Sequence, residues 1–210
     1  MTLSMKAALS CTPIPARMAH LPRDKRGFPI PANVLLDDAG MPHFTINDEE
    51  TRQRFIKEDR CPICAGKLHR GRWSVGGPLS AFHPDGRYMD TPMHYECCAY
   101  ALRVCPYLAM PSYTKRLEGR TLNARDPGTS AIPLTDPTVI PDRPSLFVAV
   151  MHVGQTYTRA PWGVRYIIPN RPYRNIEYWQ NGSKMDPAEG KALADTILEN
   201  FLNSDDQTPA

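Results

Sequence analysis

Apolar and polar positions alternate along this chain in short stretches, which predict short strands and helices separated by long connections. Residues 34–36 and 43–46 are rich in apolar side chains and flank the turn-forming run 37–40, so we predict a β-hairpin here. Polar residues at 47–50 then predict the capped start of a helix. This helix runs to about residue 57 and leads directly into a pair of cysteines.

The C-terminal part of the chain shows a second group of predicted elements. Residues 146–153, 164–168 and 176–179 are rich in Val, Ile and aromatic side chains, which indicates strands. Asp186 is followed by Pro and then by Glu, a pattern typical of a helix start. Apolar residues at helical spacing continue this helix to Leu202.

These elements predict an α+β protein, in which a zinc-stapled module precedes a small β-sheet with a C-terminal helix. Prolines are about twice as frequent as in an average protein, at 22 of 210 residues, and five of them lie between residues 119 and 145. We therefore expect the following organisation: a flexible N-terminal segment at 1–26, the zinc-binding module at 27–118, a Pro-rich connector at 119–145, the sheet and helix at 146–203, and a tail at 204–210.

Composition narrows the class of protein without identifying a function. The net charge of +3 permits contact with nucleic acid but does not demand it. No apolar run approaches the roughly 20 residues of a membrane span, and the N-terminus lacks the apolar core of a signal peptide. We expect a cytoplasmic protein with no membrane contact, in which six cysteines favour metal binding over disulfides.

The clearest chemistry is a predicted zinc site formed by Cys61, Cys64, His94 and Cys97. Two residues between the first two cysteines allow a knuckle that points both sulfurs at one spot, and the small residues Ala65 and Gly66 let the backbone turn away. His94 and Cys97 are three apart at a predicted helix start, so they share one helix face. A knuckle, a hairpin and a helix that together complete the site would resemble a treble-clef zinc finger.

The remaining cysteines fit this site poorly. Cys98 points about 100° away from Cys97 on the helix, and Cys105 lies roughly 12 Å further along it. We interpret these two residues, and Cys11, as small buried hydrophobic side chains. Because four protein ligands leave no open coordination position, we predict one structural zinc ion and assign no catalytic residue.

The function predicted from these features is a non-catalytic binding module with a macromolecular partner. Nucleic acid is slightly favoured over protein, because basic side chains cluster around the knuckle. No Gly-rich phosphate loop or nucleophile elbow is present, so no small-molecule substrate is evident. The proposed nucleic-acid contacts are Lys57, Arg60, Lys67, Arg70 and Arg72.

Two alternatives remain open. The first is a metal-dependent nuclease of the HNH-like treble-clef type, with His69 or His83 as the catalytic histidine. Neither histidine has a neighbouring His or Asp of the kind that such a site uses, and 83–86 also has the composition of a simple turn. The second alternative is a protein-interaction or regulatory factor with no nucleic-acid role.

Several runs of this chain form a recognisable set of motifs, which covers most of residues 21–118 and part of 160–203. They are LPRDKRGFPIP at 21–31, the Cys61-x-x-Cys64 knuckle, GGPL at 76–79, HYEC at 94–97, ALRVCPYL at 101–108 and, more weakly, EYWQNG at 177–182. With these motifs the chain resembles a family of uncharacterised proteins from actinobacteria and their phages. The resemblance implies a metal-binding protein of a bacterium or a phage-infected host cell, and it implies no activity.

Overall fold

The computed structural model describes residues 11–110, 143–159 and 165–205, so most of the predicted connector and the tail from 206 lie outside the described residues. A 3-10 turn at Ala16–Met18 precedes the strands and helices. The strands are β1 Val34–Leu36, β2 Pro42–Asn47, β3 Gly71–Gly76, β4 Phe147–Val153, β5 Gln155–Arg159, β6 Arg165–Pro169, β7 Asn175–Gln180 and β8 Ser183–Lys184. The helices are α1 Glu49–Glu58, α2 Pro78–Phe82, α3 Tyr95–Val104, α4 Pro106–Ala109 and α5 Pro187–Asp205.

The central feature is an antiparallel four-stranded sheet with the order β3-β4-β7-β8. Strand β3 pairs with β4, so that Trp73 lies opposite Met151. The predicted zinc-binding module at 27–118 and the predicted C-terminal elements at 146–203 therefore contribute strands to one sheet. Two further antiparallel pairs, β1-β2 and β5-β6, complete the predicted α+β class.

Strand β4 is buried on both faces of this sheet, which explains its continuous apolar sequence. Phe147 and Ala149 belong to one core cluster, which also contains the cysteines of the knuckle and residues of α3. Val148 and Val150 point to the opposite face, because side chains alternate along a strand. There they pack with residues of α2 and α5, including Ala194.

Several predicted elements form as expected. Strands β1 and β2 pair as the predicted hairpin, and the Asp37 side chain accepts hydrogen bonds from two backbone N–H groups of the turn. Asp48 caps α1 by accepting a hydrogen bond from the Thr51 N–H at 2.6 Å. Helix α5 begins one residue after Asp186, which accepts from the N–H groups of the first turn.

The stretch between Cys64 and His94 differs from the expected zinc hairpin. It contains β3 and the short helix α2, where a hairpin was predicted. In the sheet β3 pairs with β4, and with its own stretch it forms one antiparallel bridge, between Trp73 and Met93, in place of a paired hairpin strand. The treble-clef arrangement therefore stays a prediction.

The described part of the predicted N-terminal segment contacts the rest of the protein through its apolar side chains. Met18 and Leu21 are buried in the core cluster that contains the knuckle. Arg17 donates a hydrogen bond to the Glu96 carboxylate of α3 at 3.2 Å. None of the helices in the described ranges combines the length and apolar character needed to cross a membrane.

Candidate metal centre

The fold brings the four predicted ligands, Cys61, Cys64, His94 and Cys97, together at one buried point. Their sulfur and imidazole nitrogen atoms all lie within 4.8 Å of one another. A tetrahedral zinc site with Zn–S bonds of 2.3 Å would place two sulfurs about 3.8 Å apart, which fits this cluster. The donor set of three sulfurs and one nitrogen is typical of zinc or of iron–sulfur chemistry, and not of magnesium or calcium.

The knuckle is shaped by local backbone hydrogen bonds. The Cys61 N–H donates to the Gly66 carbonyl at 2.9 Å, and the Ala65 N–H donates to the Cys61 carbonyl at 2.9 Å. Ala65 takes a left-handed conformation with φ of 56°, which turns the chain away as predicted from the small residues at this position. A Cβ atom on Gly66 would approach both Cys64 Sγ and His94 Cε1 to 3.4 Å, so the backbone runs close beside the ligands here.

A second set of contacts anchors the knuckle to the hairpin β1-β2. The Ala32 N–H donates to the Ile63 carbonyl at 2.9 Å, and the Asn33 N–H donates to the Pro62 carbonyl at 3.1 Å. The Asn33 side chain in turn donates to Asn47 at the end of β2, at 3.0 Å. These bonds satisfy the two buried carbonyls between the first two cysteines and hold the knuckle in place.

His94 is oriented by a partner that the sequence did not reveal. Its Nε2 lies 2.9 Å from the Lys67 carbonyl oxygen. Because a carbonyl only accepts, Nε2 carries the proton and Nδ1 presents its lone pair to the cluster, 3.3 Å from Cys64 Sγ. Such outer contacts fix the tautomer and direction of metal-binding histidines. The bond joins a side chain to a backbone carbonyl 27 residues away, so no sequence motif signals it.

The electrostatics of the cluster favour a bound cation. Hydrogen bonds from the Cys61 and Cys97 thiols lower the pKa of the Cys64 thiol. Hydrogen bonds to the Cys61 and Cys64 sulfurs, together with burial, raise the pKa of the Cys97 thiol. Three sulfurs this close cannot all ionise side by side, whereas a divalent metal displaces their protons and compensates the charge.

The other cysteines lie outside this cluster. Cys98 is buried, and burial raises the pKa of its thiol, as expected of a small hydrophobic side chain. Cys105 follows the C-terminal end of α3 and is half-buried. Cys11 is exposed, so its interpretation as a buried side chain was wrong.

The five basic residues predicted to contact nucleic acid fall into two groups. Arg60 donates to Glu58 at 2.6 Å, and Arg72 forms an ion pair with Asp59. The other three, Lys57, Lys67 and Arg70, are exposed and form no ion pair with any residue that the structure describes. The Lys67 amine donates only to a backbone carbonyl, that of Glu58 at 2.8 Å.

The two histidines of the nuclease alternative have structural contacts. The ring of His69 lies edge-on to His94, with ring centroids 5.3 Å apart. His83 accepts a hydrogen bond from the Asp85 N–H at 3.1 Å, as in a turn. Its ring lies 6.0 Å from that of Phe201 in α5. No acidic or histidine side chain among the described residues forms a second metal cluster with either ring.

Comparison with protein-family models, with curated proteins and with solved structures finds no match to this chain. The resemblance to proteins of actinobacteria and phages therefore stays a prediction, and the site must be interpreted from its own geometry.

Proposed function

We propose that this chain is a non-catalytic binding module built around one structural zinc ion. The observation that carries the proposal is the convergence of three buried thiols and one oriented imidazole within 4.8 Å. Four such ligands saturate a tetrahedral zinc ion and leave no position for water or substrate. The ion would therefore stabilise the fold and would take no part in catalysis.

The structural role follows from what the four ligands join. Cys61 and Cys64 belong to the knuckle between α1 and β3, whereas His94 and Cys97 lie at the start of α3. All three cysteines belong to one core cluster with Trp73 of the central sheet. A metal at this point would tie the knuckle, α3 and the sheet together.

Metal content of the purified full-length chain tests this part of the proposal. We expect one zinc per chain by mass spectrometry, and visible bands of tetrahedral thiolate coordination after replacement by cobalt(II). Cys61→Ser and His94→Ala should lose the metal, while Cys98→Ser, the buried non-ligand control, should retain it. Iron with labile sulfide, or a wild type free of metal, would contradict the zinc assignment.

As partner we propose a nucleic acid, contacted by the exposed cations around the knuckle. Lys57, Lys67 and Arg70 support this proposal, because their charges are not compensated by ion pairs within the described residues. Phosphate contacts by three cations release about three counterions. The logarithm of the binding constant for duplex DNA should then fall with the logarithm of salt concentration with a slope of about −2.7.

A matched pair of single-charge variants tests the interface. Fluorescence anisotropy with a labelled duplex would be measured between low and physiological salt. Arg70→Gln should reduce the slope by about 0.9, because one phosphate contact is lost. Lys191→Gln, which removes an exposed charge on α5, should leave it unchanged. Absence of salt-sensitive binding would instead favour a protein partner, and metal-dependent nicking abolished by His83→Ala would favour the nuclease alternative.

A further inference from the structure

Strands β5 and β6 form a two-stranded ribbon that carries arginines and an exposed aromatic ring. Tyr157 and Arg159 lie on β5, and Arg165 is the first residue of β6. Side chains two positions apart on a strand point to the same face, and so do side chains that lie directly opposite each other on paired strands. Because Arg159 pairs with Arg165, these three side chains share one face of the ribbon.

The positive charges on this face are not compensated by the described part of the chain. Arg159 and Arg165 lie directly opposite each other, and like charges in such a pair repel and destabilise it. Neither forms an ion pair with any described residue. Residues 143–185 contain six Arg or Lys but one acidic residue, Glu177, which is 5% exposed and already paired with Lys184. An anionic ligand on this face would relieve the repulsion.

Tyr157 adds a second kind of contact to this face. The residue is 43% exposed, its hydroxyl accepts a hydrogen bond from the Gln155 amide at 2.7 Å, and the Arg165 guanidinium lies 5.5 Å from its ring centroid. An exposed ring beside cations is the arrangement that binds single-stranded nucleic acid, because a base stacks on the ring while the phosphates contact the cations. A duplex cannot make the stacking contact, since its bases are stacked on one another.

The ribbon is joined to the end of the central sheet at which Arg70 lies. Strand β3 begins opposite Val153 of β4, and Arg70 directly precedes β3. Strand β7 begins opposite Met151 on the other side of β4, and Arg174 directly precedes β7. Both arginines are exposed, and two strand spacings separate them by roughly 10 Å across the sheet. The chain leaves β4 at this same end through Gly154, whose φ of 82° turns it into β5.

We propose that the ribbon and this end of the sheet together bind a single-stranded nucleic acid. One phosphate would lie between Arg159 and Arg165, and one base would stack on the ring of Tyr157. The inference rests on the proposed function, because it takes Arg70 as part of the same interface. It adds the ribbon to that interface and specifies that the partner is single-stranded. The residues of this surface are Arg70, Tyr157, Arg159, Arg165 and Arg174.

Fluorescence anisotropy on the full-length chain tests the stacking contact with two probes. They are a labelled oligothymidylate of about 12 nucleotides, which lies within the length of known single-strand sites, and the duplex that it forms with its complement. Tyr157→Ala should raise the Kd for the single strand about fivefold or more, because a stacked base contributes at least that factor. The Kd for the duplex should not change. Tyr157→Phe keeps the ring and should bind the single strand as wild type does.

The salt dependence of single-strand binding tests the arginines. Arg159→Gln and Arg174→Gln should each reduce the slope of the logarithm of the binding constant against the logarithm of salt concentration by about 0.7, because each removes one phosphate contact. Lys191→Gln, which removes an exposed charge on α5, should leave this slope unchanged. Melting temperatures identify any variant that does not fold. Tyr157→Leu, which also lacks an aromatic ring but keeps an apolar side chain, should show the same loss as Tyr157→Ala.

The outcomes separate this inference from the proposed function. Folded Tyr157→Ala and Tyr157→Leu variants that bind the single strand as wild type does would overturn the inference. An equal loss of duplex binding would also overturn it, because the ring would then not contact unpaired bases. If Arg70→Gln weakens binding but the ribbon variants do not, the inference fails and the proposed function stands. Absence of salt-sensitive binding of wild type to either probe would overturn both.

Discussion

Cys97 and Cys98 offer a test of the metal centre within one turn of α3. Both side chains are 0% exposed, yet only Cys97 belongs to the cluster of potential ligands. Truncating either residue to Ala leaves a similar small void, for which we expect a cost of about 1 kcal/mol in the free energy of unfolding. Cys97→Ala should cost much more, because it also removes a ligand.

The size of the difference follows from the metal. Structural zinc contributes about 10–16 kcal/mol in small zinc-binding peptides, so one ligand of four is worth about 2.5–4 kcal/mol if the contribution is shared evenly. The total for Cys97→Ala is then about 3.5–5 kcal/mol, a large part of the roughly 5–15 kcal/mol that stabilises a typical protein. At 2–4 °C per kcal/mol for a chain of this size, the melting temperature should fall by about 7–20 °C. For Cys98→Ala the fall should be about 2–4 °C.

Urea unfolding followed by circular dichroism, with metal content determined on the same samples, measures both variants. A strong chelator supplies the control, because without metal the two substitutions should cost the same. The reasoning would be refuted if Cys97→Ala retained its zinc, or if the two variants differed by less than about 1 kcal/mol in the zinc-loaded state.

Three further outcomes are expected from contacts away from the metal. Burial lowers the pKa of His152 to about 4, against about 6.5 when unfolded, so the unfolded chain binds the extra proton between these values. The protein is therefore most stable above pH 6.5, where the imidazole is neutral in both states, and its free energy of unfolding decreases as the pH falls towards 4. Between pH 6.5 and 5, wild type should lose about 2 kcal/mol more of this free energy than His152→Gln does. Urea unfolding at each pH measures the difference. Gly190→Ala should destabilise by about 1–3 kcal/mol, because the added Cβ would meet Tyr178 Cβ at 2.3 Å. A gain of about 1 kcal/mol in thermal or urea unfolding, as helix propensity alone predicts, would contradict that packing. Glu177 accepts hydrogen bonds from Tyr95, Trp179 and Lys184, so Glu177→Ala should cost about 2–3 kcal/mol and shift the tryptophan emission of Trp179; unchanged emission would argue against the network.

The sequence by itself determined the parts of this protein that depend on residue type and short spacing. The two ligands of each pair lie three positions apart, so a knuckle and one helix turn suffice to present them. The hairpin at residues 34–47 and helix α5 are likewise encoded locally, by the turn residues after Leu36 and the cap at Asp186. In each case the hydrogen bonds that define the element lie within the element.

Only the tertiary structure showed which strands pair with each other when they lie far apart in the sequence. The apolar run in β4 indicates a buried strand, but not that it would pair with β3 in place of a hairpin within the zinc module. The backbone of a strand can form hydrogen bonds with any other strand in a suitable register. The periodicity of apolar residues therefore predicts a strand but does not identify its partner. The same holds for α2, a five-residue helix that is stable only because it packs between the sheet and α5.

Side-chain environments were decided in the same way. Among the basic residues around the knuckle, only the folded structure separates Arg60 and Arg72, which are paired with acidic neighbours, from the unpaired Lys57 and Arg70. Only the pairing of β3 and β7 with β4 brings Arg70 and Arg174 to the same end of the sheet. Burial and electrostatic partners depend on segments far apart in the chain, and their free energies arise only when those segments meet.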